Sequence, residues 1–427
     1  MNKSINHAAP LSGLFSVPGD KSLCHRALLA GAVSDAAAEI EGLACGQDIL
    51  ATINCLKALG VNIETNGKVT SVHGVGLRGL RSPDRPLDCK NSGTTMRLLC
   101  GLLAGQNTGF EAVLTGDESL RKRPMGRIVD PLRLMGADIA SSNGFAPITI
   151  KGAPGLKAIE YSMPVSSAQV KSALLLAGLY ADGVTTVREK AMTRNHTEIL
   201  LNYLGIKVLA KRLAVTIEPA DKITSKKIYI AGDFSQAAYF IGAALIIPGS
   251  DIIITNVSVN FTRIGLIQIL REMGADIEIM ARRNLCGEAV ADISVRHRPA
   301  SLKGTIVSGG IIPRLIDEIP ILAVIALFAE GETIIRDARE LRVKESDRIN
   351  AVVSELLKFG ADVKELPDGM VIQGGKALRG ALVNSHMDHR IAMALGVLGL
   401  AAEGETVIEN SECVDVSFPN FFEALGQ

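Results

Sequence analysis

The stretch Gly19-Asp20-Lys21-Ser22-Leu23-Cys24-His25-Arg26 puts an ammonium, a hydroxyl and a guanidinium within little more than one helical turn. The pattern predicts a helix running to about Val33, with Ser22 and Arg26 four residues apart on one face. Lys21 then stands at the helix entry, where unpaired backbone N–H groups and the positive dipole end already favour an anion. Such a trio is suited to clamp a phosphate or a carboxylate. Taken alone, the stretch also reads as a capped surface helix with two solvated charges.

Similar helix starts recur along the chain. Asn91-Ser92-Gly93-Thr94-Thr95-Met96-Arg97 opens a helix to about Gly105, with Gly93 leaving room for a ligand to approach the backbone. The loop Thr115–Pro124 carries Arg121, Lys122 and Arg123 in a row, a run that solvation usually explains. Ser167, Ala168 and Gln169 open another helix, and Arg194 and His196 sit in a loop before the next. In the second half, Lys344 and Arg348 are four residues apart on a predicted helix, with Glu345 near its start. Asp317 precedes the apolar stretch 319–329, and His386-Met387-Asp388-His389-Arg390 opens a helix to about Ala402. The two histidines and the aspartate hint at a metal, but His386 and His389 at the start of an apolar helix lack a third ligand at the usual spacing, so no metal is expected. If all these helix starts face one cleft, Asp317 and Glu345 are the minority acids inside a basic site. A carboxylate so surrounded stays ionised and can accept a proton, which makes both acid–base candidates.

Composition narrows the partners. Lys+Arg 45 balance Asp+Glu 45, so bulk electrostatic binding of nucleic acid or a membrane surface is not expected. Aromatic content is 4% with no Trp, a poor surface for stacking bases. The apolar run Ile319–Ala329 is short for a bilayer and contains Pro320, and the N-terminal residues lack a signal-peptide core. Seven Cys without a C-x-x-C motif fit reduced thiols in the cytoplasm.

The elements that must position these residues repeat. A helix end, a Gly and a strand-like run recur in LKALGVNIE, LRLMGADIA, LNYLGIKVLA, LREMGADIEI and LLKFGADVKE, and a sixth start, FFEALGQ, stops at Gln427. Glycine just past a helix is the expected left-handed stop. Each unit reads as helix–strand–helix–strand with a further hairpin strand, an α/β design used six times. The sixth unit lacks its final strands, and the spare extended segment is residues 1–17. VPGDKS (17–22) resembles IAGDFS (230–235), which suggests two domains of three units. One spans 19–232; the other comprises 1–18 with 233–427. The two crossings between them would serve as a hinge.

GDKSLCHRALLAG, NSGTTMRLL, DESLRKRPM, SSAQVKSALL, RLIDEIP, RVKESDR and MDHRIAM resemble, in order and nearly end to end, the 5-enolpyruvylshikimate-3-phosphate synthase family. The resemblance implies a two-domain inside-out α/β barrel and a cytoplasmic, monomeric enzyme without cofactor. Its substrates would be shikimate 3-phosphate and phosphoenolpyruvate. By resemblance, Lys21, Ser22 and Arg26 bind the shikimate phosphate, and Lys21 also reaches phosphoenolpyruvate. Ser167, Gln169, Arg194 and Lys344, with Ala168 among them, hold the rest of that substrate. Asn91, Gly93, Arg123, Arg348 and Arg390 hold phosphoenolpyruvate, the site that glyphosate takes in this family. Asp317 would take the proton of the attacking hydroxyl, and Glu345 would serve proton transfer at the methylene carbon. Val416 stands where one branch of the family has a Lys, so that contact is lost or replaced. UDP-N-acetylglucosamine enolpyruvyl transferase is the near rival, but loop 115–125 has no Cys of the kind it uses. RNA 3′-phosphate cyclase shares the repeat and needs a nucleotide, and a non-catalytic anion scaffold would not need the two acids.

Overall fold

In a computed structural model of the chain, residues 1–300 and 302–426 are described; Gln427, the last residue of the sixth helix-end motif, lies outside them. The fold is mixed α/β. The first repeat shows the design: helix Lys21–Ala32, strand Ala37–Glu41, helix Gln47–Ala58, then the hairpin Asn62–Asn66 and Val69–His73. Strand Ala37–Glu41 pairs antiparallel with Val69–His73, which pairs with Asn62–Asn66. Ile228–Tyr229 adds a parallel fourth strand against Ala37–Glu41. The same scheme builds five four-stranded sheets and one three-stranded sheet among the described residues. Gly60, Gly136, Gly205, Gly274, Gly360 and Gly426 all have φ between 79° and 95°, the left-handed stop that their position after a helix demands.

By contact, the chain divides into two compact units. One is Gly19–Ile230 with Asn284–Glu288; the other is Met1–Pro18 with Ala231–Arg283 and Ala289–Gln427.

In the unit around Gly19–Ile230, the apolar helices Lys21–Ala32, Gly93–Ala104 and Ala168–Gly178 lie in one core. The last two pack especially closely. A Cβ built on Gly101 would stand 2.1 Å from the Ala173 carbonyl oxygen, so only glycine allows this approach. In the other unit, helices Phe234–Ile246, Ile319–Ala326 and His389–Ala401 pack against one another and are almost wholly buried. A helix apolar on every side needs such a central place.

The N-terminal residues do two jobs rather than one. Strand Asn2–Ile5 pairs antiparallel with Thr406–Glu409 and completes the sixth sheet. Strand Ser12–Ser16 pairs parallel with Asp251–Ser258 and enters the fourth. Phe15 places its ring 5.3 Å from Phe240, and Phe418 lies 5.5 Å from Phe421, so the Phe418-Pro419 segment belongs to this aromatic core. Val416 ends the short 3-10 helix before it, half-buried.

Candidate active site

Each unit holds a polar cluster at the N-termini of its central helices. In the unit around Gly19–Ile230, Asp20 caps the Lys21 helix by accepting from Leu23 N at 3.0 Å. Ser92 caps the Gly93 helix through Thr95 N at 3.2 Å, and Ser167 caps the Ala168 helix through Val170 N at 3.4 Å. Capping leaves the first backbone N–H groups aimed outward, where an anion is favoured.

Around these helix starts the side chains are already oriented. Lys21 Nζ lies 3.1 Å from Asp48 Oδ2. Arg123, expected in a solvated run, is instead buried, while Arg121 and Lys122 are exposed. Arg123 donates to Asn91 Oδ1 at 2.5 Å, and Asn91 donates to Asp117 at 2.7 Å, which draws that guanidinium over the Gly93 turn. Arg97 donates to Gln169 Oε1 at 2.6 Å, and Gln169 donates to Thr94 Oγ1 at 2.9 Å. Arg194 Nη1 approaches Ser22 Oγ at 3.5 Å.

Arg26 occupies a different kind of place from Lys21 and Ser22. It is buried, and its Nε, Nη1 and Nη2 donate to Thr197 Oγ1, the Ser22 carbonyl and Ser172 Oγ. Burial lowers its pKa to about 10, against the raising influence of Glu198 and Asp20. Behind the loop carrying Arg194, Lys171 is sealed between Glu189 (3.0 Å) and Glu198 (2.7 Å). Glu189 accepts from Thr193 N at 3.2 Å, so this buried triad holds the loop in place.

The other unit is organised on Asp317. Arg348 Nη1 lies 3.3 Å and Lys344 Nζ 3.6 Å from Asp317 Oδ1; Arg390 Nη2 lies 3.7 Å from Oδ2. Arg348 also meets Glu345 Oε2 at 2.6 Å and Asp388 Oδ2 at 2.8 Å. Burial opposes the Arg348 charge, yet Asp388, Glu345 and Asp317 outweigh it and its pKa is raised. Arg390 is likewise raised against its burial, chiefly by Asp317.

The helix expected to carry both Lys344 and Arg348 starts only at Arg348. Lys344 stands before it in extended backbone, after the 3-10 turn Arg339–Val343. Lys344 and Arg348 still meet, because both reach Asp317 rather than because they share a helical face. The histidine motif has structural partners: His386 Nε2 lies 2.7 Å from Glu355, and Asp388 caps its helix and pairs with Arg348.

Sequence reasoning passed over Asp48, Arg97 and Asp388 as parts of the clusters. Arg97 had a signal, one helical turn beyond Gly93. Asp48 had none, since only the fold brings it to Lys21.

Paired cations at capped helix starts, with half-buried or buried carboxylates among them, define an enzyme class that handles small anionic substrates. A profile of the EPSP synthase (3-phosphoshikimate 1-carboxyvinyltransferase) family matches residues 5–425. A 3-phosphoshikimate 1-carboxyvinyltransferase from Thermoanaerobacter sp. (strain X514) is 51% identical over 416 residues, covering 97% of each chain. One from Desulforamulus reducens is 51% identical over 429 residues, covering 100% of this chain and 99% of its own. A solved structure of EPSP synthase from Acinetobacter baumannii superposes with a TM-score of 0.88 at 41% identity, covering 100% of this chain and 97% of its own. The chain therefore belongs to the EPSP synthase family of transferases.

Proposed function

We propose that this chain transfers the enolpyruvyl group of phosphoenolpyruvate to the 5-hydroxyl of shikimate 3-phosphate and releases phosphate. Family membership over residues 5–425 supports the reaction. The observation that carries its chemistry is Asp317, a carboxylate within 3.3–3.7 Å of Arg348, Lys344 and Arg390.

In this reading both clusters serve one reaction. Lys21, Ser22, Arg26, Ser167, Ala168, Gln169, Arg194 and Lys344 take shikimate 3-phosphate, with Arg26 also bracing the Ser22 carbonyl. Asn91, Gly93, Arg123, Arg348 and Arg390 take phosphoenolpyruvate, and Lys21 reaches it as well. Asp317 accepts the proton of the 5-hydroxyl as its oxygen bonds to C2 of phosphoenolpyruvate. The C3 methylene gains a proton in the same addition, giving a tetrahedral intermediate with a methyl group. Elimination then breaks the C2–O bond to phosphate and returns a proton from C3, with Glu345 as the transferring group. The Arg and Lys side chains position charges that persist throughout, which is how such clamps accelerate a reaction.

The finer architecture we propose is an inside-out pair of α/β domains of three repeats each, central helices inside and sheets outside. The enzyme would act as a monomer in the cytoplasm; no helix among the described residues is long and apolar enough to cross a membrane. Incubation with both substrates should release phosphate only when both are present. Release from phosphoenolpyruvate alone, or none with both, overturns the reading.

A further inference from the structure

Helix Gln47–Ala58 carries none of the residues assigned above to a substrate, yet two of its side chains reach the cluster. Asp48 and Thr52 are one turn apart on that helix. They meet Lys21 and His25, one turn apart on the first helix: Asp48 Oδ2 lies 3.1 Å from Lys21 Nζ, and Thr52 Oγ1 lies 2.7 Å from His25 Nδ1. Thr52 Oγ1 also lies 2.7 Å from Thr95 Oγ1, and Thr95 Oγ1 donates to Ser92 Oγ at 2.7 Å. One hydroxyl thus joins the helix bearing Lys21 to the turn bearing Asn91 and Gly93. His25, Thr52 and Thr95 have no exposed surface, and Ser92 is 1% exposed.

The chain of hydrogen bonds has a direction. Thr95 gives its hydrogen to Ser92, so at 2.7 Å it accepts from Thr52, whose other acceptor, the Asp48 carbonyl, lies at 3.4 Å. With its hydrogen spent on either, Thr52 accepts from His25 Nδ1–H. His25 Nε2, buried without a hydrogen-bond partner, then carries a bare lone pair. The reverse order would bury an N–H donor with no acceptor, which is the costlier arrangement. Burial, with Lys21 and Arg26 nearby, also keeps the ring neutral. Ser92 accepts twice, from Thr95 Oγ1 and Thr95 N, and is thereby locked as the cap of the Gly93 helix.

We propose that Thr52 is a positioning residue for the phosphoenolpyruvate pocket, fixing the Gly93 turn against the Lys21 helix through Thr95 and His25. The inference rests on the function proposed above. A misplaced turn loses orientation of the bound anion, and small misplacements of that kind cost up to about 10²-fold in rate.

Thr52→Val keeps the side-chain volume and removes the hydroxyl; Thr52→Ser keeps the hydroxyl. The expected result is a fall in kcat/KM for phosphoenolpyruvate of roughly 10- to 100-fold in Thr52→Val. The KM for shikimate 3-phosphate should stay within about twofold, and Thr52→Ser should restore most of the loss. In a Ser92→Ala background the Thr52→Val change should add little, because the relay then ends in nothing. Nitrogen NMR of labelled histidine in the resting protein should show His25 as the Nδ1–H tautomer. Equal losses for both substrates, no rescue by Thr52→Ser, or a His25 protonated at Nε2 alone would each overturn the proposal. An inactive native protein would instead sink the functional reading, and the tautomer would still decide the relay.

Discussion

Arg348 Nη1 lies 3.3 Å from Asp317 Oδ1, and both side chains are buried at the starts of neighbouring elements. The pair places a carboxylate beside a fixed cation, with Arg390 and Lys344 completing the ring of charge. Asp317→Asn preserves the shape and removes the proposed proton acceptor. Turnover should fall about 10²-fold or more, while the KM for each substrate changes far less. Steady-state kinetics with both substrates varied checks this; a raised KM with normal turnover would assign Asp317 to binding alone.

Glu345 holds Arg348 at 2.6 Å and is half-buried. Glu345→Gln should slow turnover by a similar factor and slow exchange of the C3 protons with solvent. Fast exchange with slow product formation would move the proton transfer to another group.

In the proposed phosphoenolpyruvate site, Gly93 would bear on inhibition by glyphosate. A Cβ at this position would stand 2.7 Å from Arg97 Nη1 and 3.4 Å from Arg123 Nη1, so Gly93→Ala must push a guanidinium aside. Crowding of this sort costs about 1–3 kcal/mol, roughly 5- to 150-fold in affinity. Inhibition of the native protein should be competitive with phosphoenolpyruvate, and weaker in Gly93→Ala by more than substrate use is weakened. Equal inhibition constants would remove Gly93 from the pocket wall.

Lys171 is 1% exposed between two buried glutamates. Lys171→Met leaves Glu189 and Glu198 without their cation and should cost about 3–5 kcal/mol of stability. Adding Glu189→Gln and Glu198→Gln should recover much of it, since the uncompensated charges are then gone. Urea unfolding of the three proteins measures the effect; an undiminished midpoint in Lys171→Met would show that the triad contributes nothing.

His25 gives stability a pH dependence. Burial, then Lys21 and Arg26, lower its folded pKa below the ordinary 6.5 or so of an unfolded histidine. Between those two values the unfolded chain holds more protons, so stability rises with pH there. The contribution is complete above about 6.5 and is lost as pH falls below it, by at most about 1.4 kcal/mol per pH unit. Urea midpoints at pH 7.5 and 5.5 should therefore separate more in the native protein than in His25→Asn. Parallel changes in the two would place the buried charge change elsewhere.

The repeat was legible because each unit ends a helix on glycine and follows it with a strand, a local device that spacing alone reveals. Helix starts at Lys21, Gly93 and Ala168 were legible for the same reason, since Asp20, Ser92 and Ser167 are caps. Local rules could not show that Arg123 is buried while its neighbours Arg121 and Lys122 are exposed, because Asn91, which it binds, is 32 residues away. They also extended the Arg348 helix back over Lys344, since charge spacing imitates a helical face whether or not the backbone coils. The N-terminal segment read as one strand, yet residues between Ile5 and Ser12 let it join two sheets.

The addition–elimination course can be read directly from the reaction run in deuterium oxide. The 5-enolpyruvyl product should carry deuterium in its vinyl methylene, because C3 gains a solvent proton on addition and passes through a methyl group before elimination. Mass spectrometry of the isolated product decides the matter. Product formed without deuterium, or no product from the two substrates, would contradict the account.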